Sequence, residues 1–205
     1  MEQISIGPLQ AADLPQAAVV AARAFSTDPL TIAVFRERPD KERHLEATFR
    51  RLLEHMPGRV FIAKKDELVV GMLRMIEWPH CQKSFNQTLI SLPLMLIRLK
   101  GMAIRRLKAQ YGWSKHHPRE PHWHLGPVAV VPEMQGQGIG SQLLEHFCRY
   151  MDQVGEVAFL ETDKLENVRL YERFGFSVTD EALLLGVRNW FMWRIQGQDI
   201  PQPNR

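Results

Sequence analysis

Only two cysteines, Cys81 and Cys148, occur in the 205 residues, so no disulfide framework is expected. Cys148 stands at helical spacing beside Leu144 and Phe147 and reads as a small buried apolar side chain. No apolar run approaches the roughly 18 residues that a spanning helix needs, and the N-terminus carries no basic-then-apolar leader. A cytoplasmic protein without stable membrane insertion is expected. No His, Cys and Asp spacing suggests a metal site; His80, His116 and His117 fall in expected loops. Basic and aromatic residues do not interleave as they do in single-strand binders, so no nucleic-acid partner is expected. The most local absence is of acidic residues: between Cys81 and Arg119 there are eight Lys or Arg and no Asp or Glu. The net charge of +3 therefore hides a basic segment in an otherwise net acidic chain, an asymmetry that can mark an anionic partner.

What is present suits a single globular domain over 1–205. The hydrophobic fraction of 45% and charged fraction of 24% are ordinary. Gln3 to Leu9 alternates weakly and reads as a first strand. Asp13 and Pro15 open a helix that ends at Phe25, and Ser26-Thr27-Asp28-Pro29 breaks it into a loop reaching Phe35. Asp40 opens a second helix, on which Leu45, Phe49, Leu52, Leu53 and Met56 recur at helical spacing before Pro57-Gly58. Val60–Ala63 and Leu68–Trp78 form a hairpin.

The segment from Pro79 to Pro121 reads as an insertion of amphipathic helices interrupted at Pro93 and Gly101. Its other face carries Arg98, Lys100, Arg105, Arg106 and Lys108. Two readings stand: helices that pack on the domain and expose their charges, or a basic lid or surface that meets an anionic substrate or lipid. His122–Val131 follows as a central strand. Gly126-Pro127 lies inside it, and a proline cannot donate to a central ladder, so it marks a bulge or a place where strands part. A parted strand leaves N–H and C=O groups for a ligand. A helix over Gly138–Gln153, a strand over Val157–Glu161, a helix over Asn167–Phe174 and a stop at Gly175 come next. Phe176–Val187 and Trp190–Ile195 read as two last strands joined through Arg188-Asn189. A loose polar tail is expected over about 197–205.

Gln135-Gly136-Gln137-Gly138-Ile139-Gly140 lies between the central strand and its helix. Alternate glycines let backbone amides face outward, and a helix start adds unpaired N–H groups and the positive dipole end. That makes a diphosphate cradle. The dinucleotide pattern G-x-G-x-x-G does not fit, and no lysine follows Gly140 as in a Walker A loop. What fits is Gln/Arg-x-x-Gly-x-Gly/Ala, with Gln135, Gly138 and Gly140 in the named places.

A second pattern, N-x-x-x-Y-x-x-x-G-F, falls on Asn167, Tyr171, Gly175 and Phe176. Together the two motifs resemble the Gcn5-related N-acetyltransferase (GNAT) family. PREPHWHL and WFMWR look similar to its puromycin-acetyltransferase-like bacterial members. The resemblance implies an α/β (α+β) fold, with a mixed, mostly antiparallel sheet of about seven strands, flanking helices and a helical insertion at about 79–121. It further implies transfer of acetyl from acetyl-CoA to a small-molecule amine in a ternary complex, with no metal. On that pattern Gln135, Gly136, Gln137, Gly138, Ile139 and Gly140 hold the pyrophosphate, Val128 and Val130 pair with the pantetheine arm, and Asn167 holds the cofactor or nearby backbone. Tyr171 lies at the cofactor and donates a proton, or a hydrogen bond, to the leaving thiolate.

The resemblance places the general base near His124, a residue type suited to the task, with Glu161 as its rival. No cysteine is placed for an acyl-enzyme. A homodimer through the last strands is compatible with the family. The alternative to an enzyme is a non-catalytic acyl-CoA sensor on the same fold.

Overall fold

The structure, a computed structural model, describes residues 4–81 and 85–195, with the backbone alone over 85–100. The expected tail, and the charges of Arg98 and Lys100, lie outside the described residues and side chains. In chain order the elements are β1 (Ser5–Pro8), α1 (Leu14–Phe25), α2 (Pro29–Phe35), α3 (Lys41–His55), β2 (Arg59–Lys65), β3 (Leu68–Glu77) and α4 (Phe85–His116). Then come β4 (Trp123–Val130), α5 (Ile139–Val154), β5 (Ala158–Thr162), α6 (Leu165–Glu172), β6 (Phe176–Leu184) and β7 (Val187–Arg194). One seven-stranded sheet runs β1-β2-β3-β4-β5-β7-β6. Every neighbouring pair is antiparallel except β4 and β5.

Helix α5 shows why one face of this sheet is dry. Ile139, Leu143, Leu144, Phe147, Cys148 and Met151 are all buried, a helical stripe that lies on the central strands. A side-chain carbon at Gly71 of β3 would come within 3.2 Å of Leu143 and 3.1 Å of Ile139, so the helix sits directly on the strand there. Phe147 is fully buried and stacks on Phe176 at 6.4 Å. Phe147→Ala is expected to cost ~3–5 kcal/mol, the usual range for emptying such a site, read as a lowered urea midpoint.

The opposite face is covered by α1, whose Ala17, Ala18, Ala21 and Ala22 are small enough to bring the helix close, together with α2, α3 and the second half of α4. Among the described residues, no single helix is long and apolar enough to cross a membrane.

Several sequence expectations change. Pro29–Phe35 is a helix, not a loop. Asp13 and Asp40 stand at helix starts but cap neither with their side chains; Asp13 instead pairs with Lys64 at 2.8 Å and Asp40 with Arg38. The insertion is one helix through Pro93 and Gly101. It lies against α2 and the last hairpin: Trp113 Nε1 donates to the buried Asn189 Oδ1 at 3.0 Å, and His116 Nδ1 donates to Asp180 at 2.6 Å. Its basic residues divide, because Arg105 Nε donates to the Val34 carbonyl at 2.7 Å while Lys108 is exposed. The last strands join through Leu185-Gly186, both at positive φ (55° and 83°), rather than through Arg188-Asn189. That is the two-residue turn whose twist matches a hairpin, and the apolar run around it hid the turn.

Candidate active site

The sheet forks. Strands β4 and β5 pair only at Trp123↔Ala158 and His124↔Phe159, and beyond that rung they part. On the other side β4 stays paired to β3, except at the expected irregularity, where Gly126-Pro127 stands opposite Arg74 between the rungs Leu73↔Val128 and Met75↔Leu125. Val131 N–H donates to the Val70 carbonyl at 2.9 Å. Antiparallel rungs alternate between bonded and unbonded pairs, so Val128 and Val130 turn their N–H and C=O groups away from β3 and into the fork.

At the mouth of the fork the chain makes one tight turn, Pro132–Met134, and then the glycine segment. Gly138 lies at φ 81°, a left-handed position that glycine adopts without strain, and its carbonyl accepts from Gln142 N–H at 3.0 Å. No side chain caps the start of α5. Gln135 and Gln137 fold back onto the loop, their Nε2 atoms donating to the Val130 and Glu133 carbonyls at 3.0 and 3.2 Å. Ile139 is the buried exception in the segment, an anchor in the core rather than part of an open surface. A carbon added at Gly136 would meet nothing within 4 Å, and one at Gly140 only Val130 at 3.8 Å. Gly140 has neither a positive φ nor a crowding neighbour to demand glycine. The space a side chain would take there suits a ligand coming close to the backbone, so these residues fit a diphosphate.

At the last paired rung His124 Nε2 donates to Glu161 Oε2 at 2.8 Å, the two side chains 16% and 20% exposed. The sequence had set them as rivals; the parallel pairing of β4 with β5 makes them partners. A carboxylate only accepts, so the proton of this bond is carried on Nε2. Two more histidines stand beside it: His117, with ring centres 5.3 Å from His124, and His122, 5.1 Å from His117. Burial drives His122 down to about 4, and burial followed by the neighbouring His124 ring lowers His117, so both are neutral near pH 7.

Tyr171, on α6, is 8% exposed and packs edge-on against Phe176. Burial, then the carboxylates of Asp28 and Glu161, push its phenol above the ordinary range, so it keeps its proton. Asn167 Nδ2 donates to the Thr162 hydroxyl at 3.3 Å, fixing the corner between β5 and α6. Cys148 is fully buried, and burial pushes its thiol up to about 12, far from a nucleophilic thiolate.

Three residues at this corner went unread in the sequence. Asp163 accepts from Leu30 N–H at 2.6 Å, serving as the N-terminal partner of α2 from across the fold, and Asp28 pairs with Lys164 at 2.5 Å. Burial raises both carboxyls. The signal was present in Asp28-Pro29, a helix-start dipeptide read only as a breaker. Likewise, an expectation of no metal spacing passed over His117-x-x-x-x-His122, which with Cys81 brings three ligand atoms within 4.8 Å of one another.

A forked sheet with a glycine turn at its mouth, a helix rising from that turn and a buried tyrosine on the helix after β5 is the fold class of the N-acetyltransferases. The chain belongs to the acetyltransferase (GNAT) family, whose model matches residues 26–176. A mycothiol acetyltransferase of Arthrobacter sp. (strain FB24) is 34% identical over 86 residues, 38% of this chain and 27% of that protein. The chain thus matches about a quarter of the length of its curated relatives.

Among solved structures, a Corynebacterium glutamicum protein described as histone acetyltransferase HPA2 and related acetyltransferase superposes with a TM-score of 0.68. It is 22% identical, over 96% of this chain and 98% of that one. The Drosophila melanogaster polyamine N-acetyltransferase superposes at 0.63 with 12% identity, over 93% and 98%. At these identities the likeness is one of fold.

Proposed function

We propose that this protein moves an acetyl group from acetyl-CoA to a primary amine of a small molecule, by direct attack within a ternary complex. The observation that carries the reading is the His124–Glu161 pair at the point where the sheet forks. Acetyl-CoA, when bound, supplies an activated acyl thioester. Backbone amides from Gln135 to Gly140 face its diphosphate, and the inward groups of Val128 and Val130 hold the pantetheine arm. Asn167 keeps the β5–α6 corner in place.

An alkylamine with an ordinary pKa near 10 arrives protonated at pH 7, so it must lose a proton before it attacks. His124 Nδ1 takes that proton, and Glu161 steadies the imidazolium that results. As the C–S bond breaks, Tyr171 gives its proton to the sulfur, and the second proton that the nitrogen loses on becoming an amide restores the phenol.

The acceptor end favours cations. Asp28, itself paired with Lys164, and Glu161 both act on Tyr171, whereas Arg105, once a hint of an anionic acceptor, donates to the Val34 carbonyl. The same fold carries amine acetylation in the Drosophila polyamine N-acetyltransferase, which forms N-acetylagmatine.

The test is thiol release from acetyl-CoA with a panel of diamines, arylalkylamines and amino sugars. At least one amine is expected to release thiol in step with acetylated product. Stabilisation by acetyl-CoA with no turnover on any amine would instead point to a sensor. Gly140→Val serves as an internal check. Its side chain enters the space left for the diphosphate, so KM for acetyl-CoA is expected to rise about tenfold or more, equivalent to about 1.4 kcal/mol, with little change in Tm.

A further inference from the structure

Beyond acetyl transfer, the geometry points to a metal site: Cys81, His117 and His122 form a three-ligand centre for Zn²⁺ that clips together the two ends of the α4 segment. Cys81 Sγ and His122 Nε2 are 3.6 Å apart. Two ligands on a tetrahedral zinc, with Zn–S near 2.3 Å and Zn–N near 2.0–2.1 Å, stand about 3.6 Å from each other. One ligand atom from each of the three residues lies within 4.8 Å of the others, so a shift of about an ångström in the third ligand completes the set.

The histidine protons are already arranged for this. His122 Nδ1 donates to the Glu120 carbonyl at 2.7 Å, leaving the lone pair on Nε2, the atom that faces Cys81. His117 Nδ1 bonds the Pro118 carbonyl at 3.2 Å, and its Nε2 is buried with no hydrogen-bond partner. Backbone carbonyls holding the far ring nitrogen are the usual support of metal-bound histidine. A buried ring nitrogen without a partner costs stability unless something meets it, and a metal ion does.

The position explains a use. Cys81 lies just before α4, His117 just after it and His122 at the threshold of β4. A metal there closes the loop that contains α4, limiting the freedom of both its ends. Cys81 and His117 are each half-buried, which leaves a path for the ion.

The full chain, stripped with a chelator, is titrated with Co²⁺ and then Zn²⁺. One equivalent of Co²⁺ is expected, with thiolate-to-cobalt charge-transfer absorption and tetrahedral d–d bands, and Zn²⁺ should displace it. Cys81→Ser should abolish the charge-transfer absorption, and His117→Ala should lower Zn²⁺ affinity at least tenfold. Zn²⁺ should raise Tm in the wild type and leave the double variant unmoved. His122 is kept, because it also packs on Phe159 and Trp193. Should either variant fail to fold, Cys81→Ala and His117→Gln read the same losses. Absent or many-site uptake by the wild type, or equal uptake by wild type and variants, overturns the site. None of these measurements uses acetyl-CoA, so failure here is separable from failure of the proposed acetyl transfer.

Discussion

Tyr171→Phe is expected to lower kcat by about 10²- to 10⁴-fold, the range a positioned proton donor contributes, with KM for acetyl-CoA nearly unchanged. The substitution removes one oxygen from a residue that is 8% exposed and packed within the main core, so the ring contacts with Phe176 persist and the fold holds. What is lost acts only late in the reaction, when negative charge reaches sulfur. A group that works only in the transition state reduces kcat and kcat/KM together.

The pH profile gives a second handle. The phenol lies above its ordinary value near 10 because burial and two carboxylates disfavour the anion. The proton is therefore held at and above neutrality, and no basic limb below about pH 10 arises from Tyr171. A high-pH limb near neutrality that vanishes in the Phe variant would place the phenol's ionisation elsewhere and sink this assignment. A kcat within twofold of wild type would make Tyr171 a packing residue.

The parts of the site that were legible are those that one local stretch encodes. Gln135–Gly140 announces its turn because glycine at φ 81° is a backbone requirement written in a single residue. Gly126-Pro127 announces the irregularity in β4 because a missing N–H is a local fact. What stayed hidden depends on neighbours distant in sequence. His124 and Glu161 look like alternatives until the parallel rung places them side by side. Asp163 serves the start of α2 from another corner of the fold. Cys81 meets His117 and His122 only because the chain that leaves the sheet at the end of β3 comes back beside it at the start of β4, where Glu77 pairs with Trp123. Spacing rules read along the chain cannot see a centre that a helical excursion closes. The Leu185-Gly186 turn failed differently: its leucine takes a left-handed φ of 55°, a conformation that residue type ordinarily argues against.

The second large effect concerns the paired base. His124→Ala is expected to reduce kcat/KM by about 10²- to 10⁴-fold, and Glu161→Gln by less. Glutamine keeps an acceptor oxygen for the His124 Nε2 proton, so the ring orientation survives while the negative charge is removed. The loss in Glu161→Gln therefore isolates the electrostatic support of the imidazolium, a charge-assisted bond about twice as strong as its neutral counterpart.

The double variant decides the matter. If Glu161 acts through His124, removing it after the histidine is gone adds almost nothing, and the two losses are strongly non-additive. If Glu161 is itself the base, the pattern reverses: Glu161→Gln carries the full loss, and His124→Ala a small one. Equal, additive losses would mean that the 2.8 Å bond joins two groups with separate roles. Far-UV spectra and Tm of all three variants guard against misfolding, since both side chains are mostly buried at 16% and 20% exposure. The first pattern is the one expected, because a carboxylate whose Oε2 already accepts a proton-bearing nitrogen at 2.8 Å is better placed to hold a charge on that ring than to take a proton from a distant amine.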